Sequence, residues 1–76
     1  MSSLPSLNYD KIIKSLQKNG FYFVRQRGSH IRMQKKTSEK TIKLTVPAHK
    51  PVKKNTLRQI IKQSELELDD FLKFTN

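Results

Sequence analysis

The sequence predicts an α+β domain of two layers, α-β-β-β-α in order, with a three-stranded antiparallel sheet and its helices on one face. Three observations carry this prediction. Apolar residues recur at helical spacing near both ends of the chain, two central segments alternate apolar and polar residues with period two, and the joins between these segments are short and rich in Gly or polar residues. A chain of 76 residues makes one small unit that buries only about 60% of the surface it exposes when unfolded. Its core is therefore thin, which argues against a large enclosed cavity.

Asn8 to Asn19 forms the first helix, because Ile12, Ile13 and Leu16 share a stripe while Lys11, Lys14 and Lys18 lie around the rest of the wheel. Asn8 is placed to cap it and Gly20 to stop it. Phe21 to Arg27 is rich in aromatic and β-branched residues and reads as a strand ending at a tight turn or bulge at Gly28-Ser29. It does not alternate cleanly, so its facing stays open, but Phe21, Tyr22 and Phe23 are assigned to the core. His30 to Lys35 does alternate, with Ile31 and Met33 facing the helix and His30, Arg32 and Gln34 facing outward. Thr41 to Val46 repeats the pattern, with Ile42, Leu44 and Val46 inward, and the polar segment Lys36 to Lys40 joins the two as a hairpin.

Pro47 ends the third strand, and Ala48 to Asn55 is an irregular basic loop. A helix follows from about Thr56, capped by Asn55 or Thr56, with Leu57, Ile60 and Ile61 as its apolar stripe and a break at Ser64-Glu65. A last short helix spans about Leu68 to Phe74, with Asp69 and Asp70 at the end where the helix dipole favours them and Leu68, Phe71 and Leu72 on the buried side. This order of elements is also the plan of a double-stranded-RNA-binding domain.

Charge narrows the function. Sixteen Lys and Arg against six Asp and Glu give a formal +10, and between Lys11 and Lys62 the only acid is Glu39. A field of that sign attracts polyanions, and the basic residues alternate with apolar ones, so they project from ordered elements rather than from a tail. No cysteine is present, which excludes disulfides and thiolate metal sites and makes a reducing cytoplasm the default. The N-terminal residues lack a secretory pattern and the longest apolar run, Phe21 to Val24, is too short to span a bilayer, so a soluble chain with no membrane role is expected.

Metal-assisted phosphodiester chemistry needs converging carboxylates or imidazoles, which this chain is poorly equipped to assemble: Asp10 and Glu39 are isolated and the other four acids lie near the end. Neither a metal nor any other cofactor is expected. Thiol and Ser-His-Asp chemistry lack their partners. What remains is an imidazole among cations, moving a proton while Lys or Arg balances charge on phosphate. RNA, which carries its own 2′-hydroxyl nucleophile, needs little more. His30 is the better-placed histidine, although position alone leaves it open between a surface residue and a catalytic one; His49 in the basic loop is open between phosphate contact and simple solvation.

Read in order, Asn19-Gly20-Phe21 followed by Arg25-Gln26-Arg27-Gly28-Ser29-His30 resembles the "NGF…RQxGSH" core of the HicA, or YcfA-like, toxins. Thr45 to His49 is similar to that family's "TVPxH", Thr56 to Gln63 to its "TLRxILKQ", and Leu66 to Leu72 to its "LxxEEFL" ending, so the likeness runs from about Asp10 to Phe74. The resemblance implies a fold similar to the double-stranded-RNA-binding domain, over residues 1–76 as one unit, an mRNA-cleaving activity that blocks translation, and a cognate HicB-like antitoxin that covers the site. It assigns the catalytic histidine to His30 and an unusual backbone conformation to Gly28.

Two departures stand out. Ile31, Arg32 and Met33 follow His30 where many members have a second histidine or a lysine and then an aromatic residue, and Ser64-Glu65 replaces a common Gly. The combined expectation is a metal-independent endoribonuclease with His30 as general acid or base and with Arg27, Arg32 and Lys43 on the scissile phosphate. The wider RNA-binding set is Arg25, Arg27, Gly28, Ser29, Arg32, Lys43, His49, Lys50, Lys53 and Lys54. The alternative is a non-catalytic module that reads duplex RNA through phosphates and 2′-hydroxyls.

Overall fold

In the computed structural model, which describes residues 4–75, the elements follow the expected order: α1 (Tyr9–Lys18), β1 (Tyr22–Arg27), β2 (His30–Lys36), β3 (Thr41–Pro47), α2 (Lys54–Ser64) and α3 (Leu68–Leu72). The strands form one antiparallel sheet in the order β1-β2-β3. The fold is the α-β-β-β-α plan of the double-stranded-RNA-binding domain, with helices packed on one face of an open sheet.

The core lies between that face and the helices. Ile12 and Leu16 of α1, Ile31 and Met33 of β2, Ile42, Leu44 and Val46 of β3, Leu57 and Ile60 of α2, and Phe71 of α3 are all buried. The inward sets expected on β2 and β3 are these residues, because period-two alternation sends every second side chain to one side of a pleated sheet. The helix layer sits chiefly against β3, while every residue of β1 is exposed. This corrects the expectation for the three aromatics: Phe21 is 3% exposed and belongs to the core, but Tyr22 and Phe23 are 41% and 53% exposed. They lie on an edge strand beyond the cover of the helices.

Local chemistry explains most boundaries. At the end of α1, the Gly20 N–H donates to the Gln17 carbonyl and the Phe21 N–H to the Leu16 carbonyl, the paired bonds that close a helix through a residue in left-handed conformation. Gly20 supplies it at φ +97°. Glu65 does the same for α2 at φ +62°, at the cost a side chain carries there; Ser64 takes part in the turn, its Oγ donating to the Ile61 carbonyl and accepting from the Leu66 N–H. The caps differ from expectation. Asn8 occupies the N-cap of α1 without a side-chain bond, and α2 begins at Lys54, so Asn55 lies inside it and accepts from Arg58 Nη1 instead of capping. The last helix stops at Leu72 rather than Phe74.

One buried polar contact joins the helices. Ser15 Oγ, fully buried on α1, donates to the carbonyl of Phe71 on α3. Removing the hydroxyl strands a buried acceptor, so Ser15→Ala is expected to lower stability by about 1–2 kcal/mol, read as a lower urea midpoint at unchanged slope. An unmoved midpoint would show that water replaces the contact without loss.

Candidate functional site

The outward face of the sheet is organised in rows, because residues directly opposite on antiparallel strands point to the same side. Arg27, His30 and Pro47 form the first row, Arg25, Arg32 and Thr45 the second, and Tyr22, Gln34 and Lys43 the third. Strict alternation along β1 would put Arg25 and Arg27 on the side opposite to Tyr22, an odd number of residues away. The register shifts between Phe23 and Arg25 instead. Val24 is the extra residue of a β-bulge, and the bulge brings both arginines onto the outward face.

The turn between β1 and β2 sets the other end of the site. Gly28 and Ser29 are the two central residues of the hairpin that pairs Arg27 with His30, and Gly28 takes φ +55°, the positive value that such tight hairpins need and that glycine adopts freely. The turn is braced twice: Gln26 Nε2 donates to the Gly28 carbonyl at 2.9 Å, and the Ala48 N–H donates to the Ser29 carbonyl at 2.6 Å. His30 is thereby held at the start of β2, between Arg27 and Pro47.

Arg25, Arg27, His30, Arg32 and Thr45 line a shallow concavity of about 370 Å³. Arg32 is half-buried and its Nη1 donates to Thr45 Oγ1 at 3.3 Å, whereas Arg25, Arg27 and His30 are exposed. Among the described residues, the ion pair formed is Lys40 with Glu65, away from this face. Three guanidinium groups and an imidazole therefore share one hollow without a carboxylate, and Arg25 stands directly opposite Arg32. Like charges in that position oppose folding. The arrangement can bind an anion with several donors at once and place an imidazole beside it.

The structure brings together His30, Arg25, Arg27 and Arg32 of the expected residues, with Gly28 and Ser29 as their turn. Lys43 shares the face but lies in the third row, outside the lining of the hollow. His49, Lys50, Lys53 and Lys54 do not line it either. They belong to the segment that leaves the sheet for the helix layer, where the Tyr9 N–H donates to the His49 carbonyl and Lys50 Nζ lies 5.9 Å from the centre of the Tyr9 ring. Thr45 was not singled out from sequence; its signal is the hairpin register that puts it opposite Arg32. No three His, Cys, Asp or Glu side chains among the described residues gather as a metal-binding group.

The family model of the HicA toxin of bacterial toxin-antitoxin systems matches residues 9–66. The chain belongs to the HicA toxin family. Membership makes it the toxin of a toxin-antitoxin pair and implies a HicB-like antitoxin as its partner. The span matched covers α1 through α2, and with them every row of the outward face; most of the Leu66 to Leu72 likeness lies beyond it. No curated protein matched the chain. No helix of this HicA-family chain is long and apolar enough to cross a membrane among the described residues.

If the opposed arginines are held together for anion binding at the expense of folding, the two properties should separate on substitution. Arg25→Glu turns a repulsive pair into an attractive one and is expected to raise stability by about 0.5–1 kcal/mol while weakening retention on a heparin column. A variant that loses both stability and retention would show that Arg25 is a packing residue.

Proposed function

We propose that this HicA-family toxin, with residues 1–76 acting as one RNA-binding and ribonuclease domain, is a metal-independent endoribonuclease that cleaves mRNA and so blocks translation. The observation that supports this is the hollow itself, with His30 beside three guanidinium groups that pair with no carboxylate among the described residues. The scissile phosphate sits between Arg25, Arg27 and Arg32, whose charges balance the extra negative charge that develops as the phosphorus becomes five-coordinate. The neighbouring 2′-hydroxyl is the nucleophile. Its oxygen bonds to phosphorus, the bond to the 5′-oxygen breaks, and one proton leaves the 2′-oxygen as another reaches the departing oxygen. His30 performs one of these transfers as general base or acid, and water performs the other.

The reading needs no cofactor. Gly28 and Ser29 serve it by holding His30, and Lys43, His49, Lys50, Lys53 and Lys54 serve it as more distant contacts for the phosphates that flank the cleaved one. The site of action is the cytoplasm, where mRNA and a HicB-like antitoxin meet it; the antitoxin silences it by covering the hollow.

The test is incubation of the toxin and its His30→Ala variant with a defined mRNA in EDTA, followed by sizing of the fragments. The toxin is expected to cut and the variant to lose activity by at least about a hundredfold while keeping its fold and its affinity for RNA. A substrate with 2′-deoxyribose at the cleaved position should stay intact. Equal cleavage by the variant overturns the role of His30, and intact RNA in both lanes with binding retained leaves a non-catalytic RNA-binding module.

A further inference from the structure

The third row of the outward face holds Tyr22, Gln34 and Lys43, immediately beyond the arginine row. Among the described residues Tyr22 is the only aromatic in the rows of this face, and the residue is 41% exposed although it sits in a strand. Its ring is also held in place: Gln34 Nε2 donates to Tyr22 Oη at 2.6 Å. That bond uses the phenol oxygen as acceptor, so the phenol proton, the second amide proton and Gln34 Oε1 all remain for a ligand. The next aromatic, Phe23, lies opposite Met33 and so on the other side of the sheet, and cannot substitute for it.

An exposed planar ring beside a free amide edge, one row from a phosphate-binding hollow, has the parts of a base-binding subsite. The ring offers a stacking face, which any nucleobase accepts, and the amide offers a donor and an acceptor for a base edge. The spacing also suits a nucleotide. Gln34 is two residues along β2 from Arg32, roughly 7 Å at the rise of a strand, which is the scale of one step along an extended nucleic-acid strand. Lys43 lies opposite Gln34 and adds a cation to the same row.

We infer that Tyr22 and Gln34 form a nucleobase subsite that stacks and reads one unpaired base next to the cleaved phosphate. The inference rests on the ribonuclease reading above and adds to it a source of sequence preference. It also requires single-stranded RNA at this point, since a base inside a duplex shows no open face to a flat sheet.

Binding and cutting are tested separately so that the two readings fail differently. His30→Ala protein is titrated with short single-stranded RNAs that carry 2-aminopurine at successive positions, and fluorescence quenching reports stacking. One position is expected to quench strongly, Tyr22→Ala in the same background to abolish that quenching with roughly a tenfold weaker Kd, and Tyr22→Phe to restore it. In the active protein, Gln34→Ala is expected to flatten the preference for the base at that position more than it lowers the maximal rate, and removal of the base to make Tyr22→Ala and parent equally slow. RNA bound with no position quenched, or quenching unaffected by Tyr22→Ala, overturns the subsite and leaves the ribonuclease reading standing. Failure of any RNA to bind removes both. Normal quenching loss absent but weakened antitoxin binding by Tyr22→Ala gives the ring to the protein partner and overturns the subsite as well.

Discussion

The register between β1 and β2 is the constraint on which the candidate site of this molecule depends. A strand offers each residue one of two faces, and a single added residue exchanges them for everything beyond it. Here the added residue is Val24. It lets Phe21 enter the core at one end of the segment while Arg25 and Arg27 join His30 and Arg32 at the other. With regular alternation, the two arginines would point to the helix side, and the hollow would keep one guanidinium in place of three.

That arrangement is expensive for a thin domain. The helices cover one face only, and the other face brings like charges into direct opposition with no carboxylate among the described residues to relieve them. The fold tolerates this because one member of the pair, Arg25, is exposed on the edge strand, where water and salt screen the repulsion, and because the interior is closed by contacts that do not involve either group. Ser15 and Phe71 tie the first helix to the last, and the turns at Gly20 and Glu65 fix where α1 and α2 end. The packed side of the molecule and its arginine side are thus opposite faces of the same strands.

Much of the fold was legible because β2, β3 and the two longer helices follow their ideal periods: Ile31, Met33, Ile42, Leu44 and Val46 are inward as alternation requires. β1 was legible as a strand but not in its facing, since a bulge breaks the period without leaving a Gly or Pro to mark it. The same segment misled on its aromatics. Three in a row suggest packing, but whether a strand is covered depends on where the helices lie across the sheet, a property of the whole fold. Of the candidate site, His30 and the arginines could be read from the turn and the motif, while the separation of Lys50, Lys53 and Lys54 from the hollow could not. Their loop is basic like the sheet, and it is the contacts of Tyr9 with His49 and Lys50 and of Leu7 with Val52 that show it turning toward the helix layer.

The unequal placement of acids has an effect on how the molecule meets other molecules. Glu65, Glu67, Asp69 and Asp70 lie in and around α3, in the helix layer, whereas Arg25, Arg27 and Arg32 lie on the far side of the sheet. In the helix layer the acids are offset by Lys11, Lys14 and Lys18 of α1 and by Lys54, Arg58 and Lys62 of α2, so both sides of the molecule are basic and what sets the arginine face apart is that its rows hold no acid. The net charge therefore draws a polyanion to the molecule from any side, and only on the arginine face does it meet cations with no acid among them. The encounter is quickened by that attraction, most of all at low ionic strength.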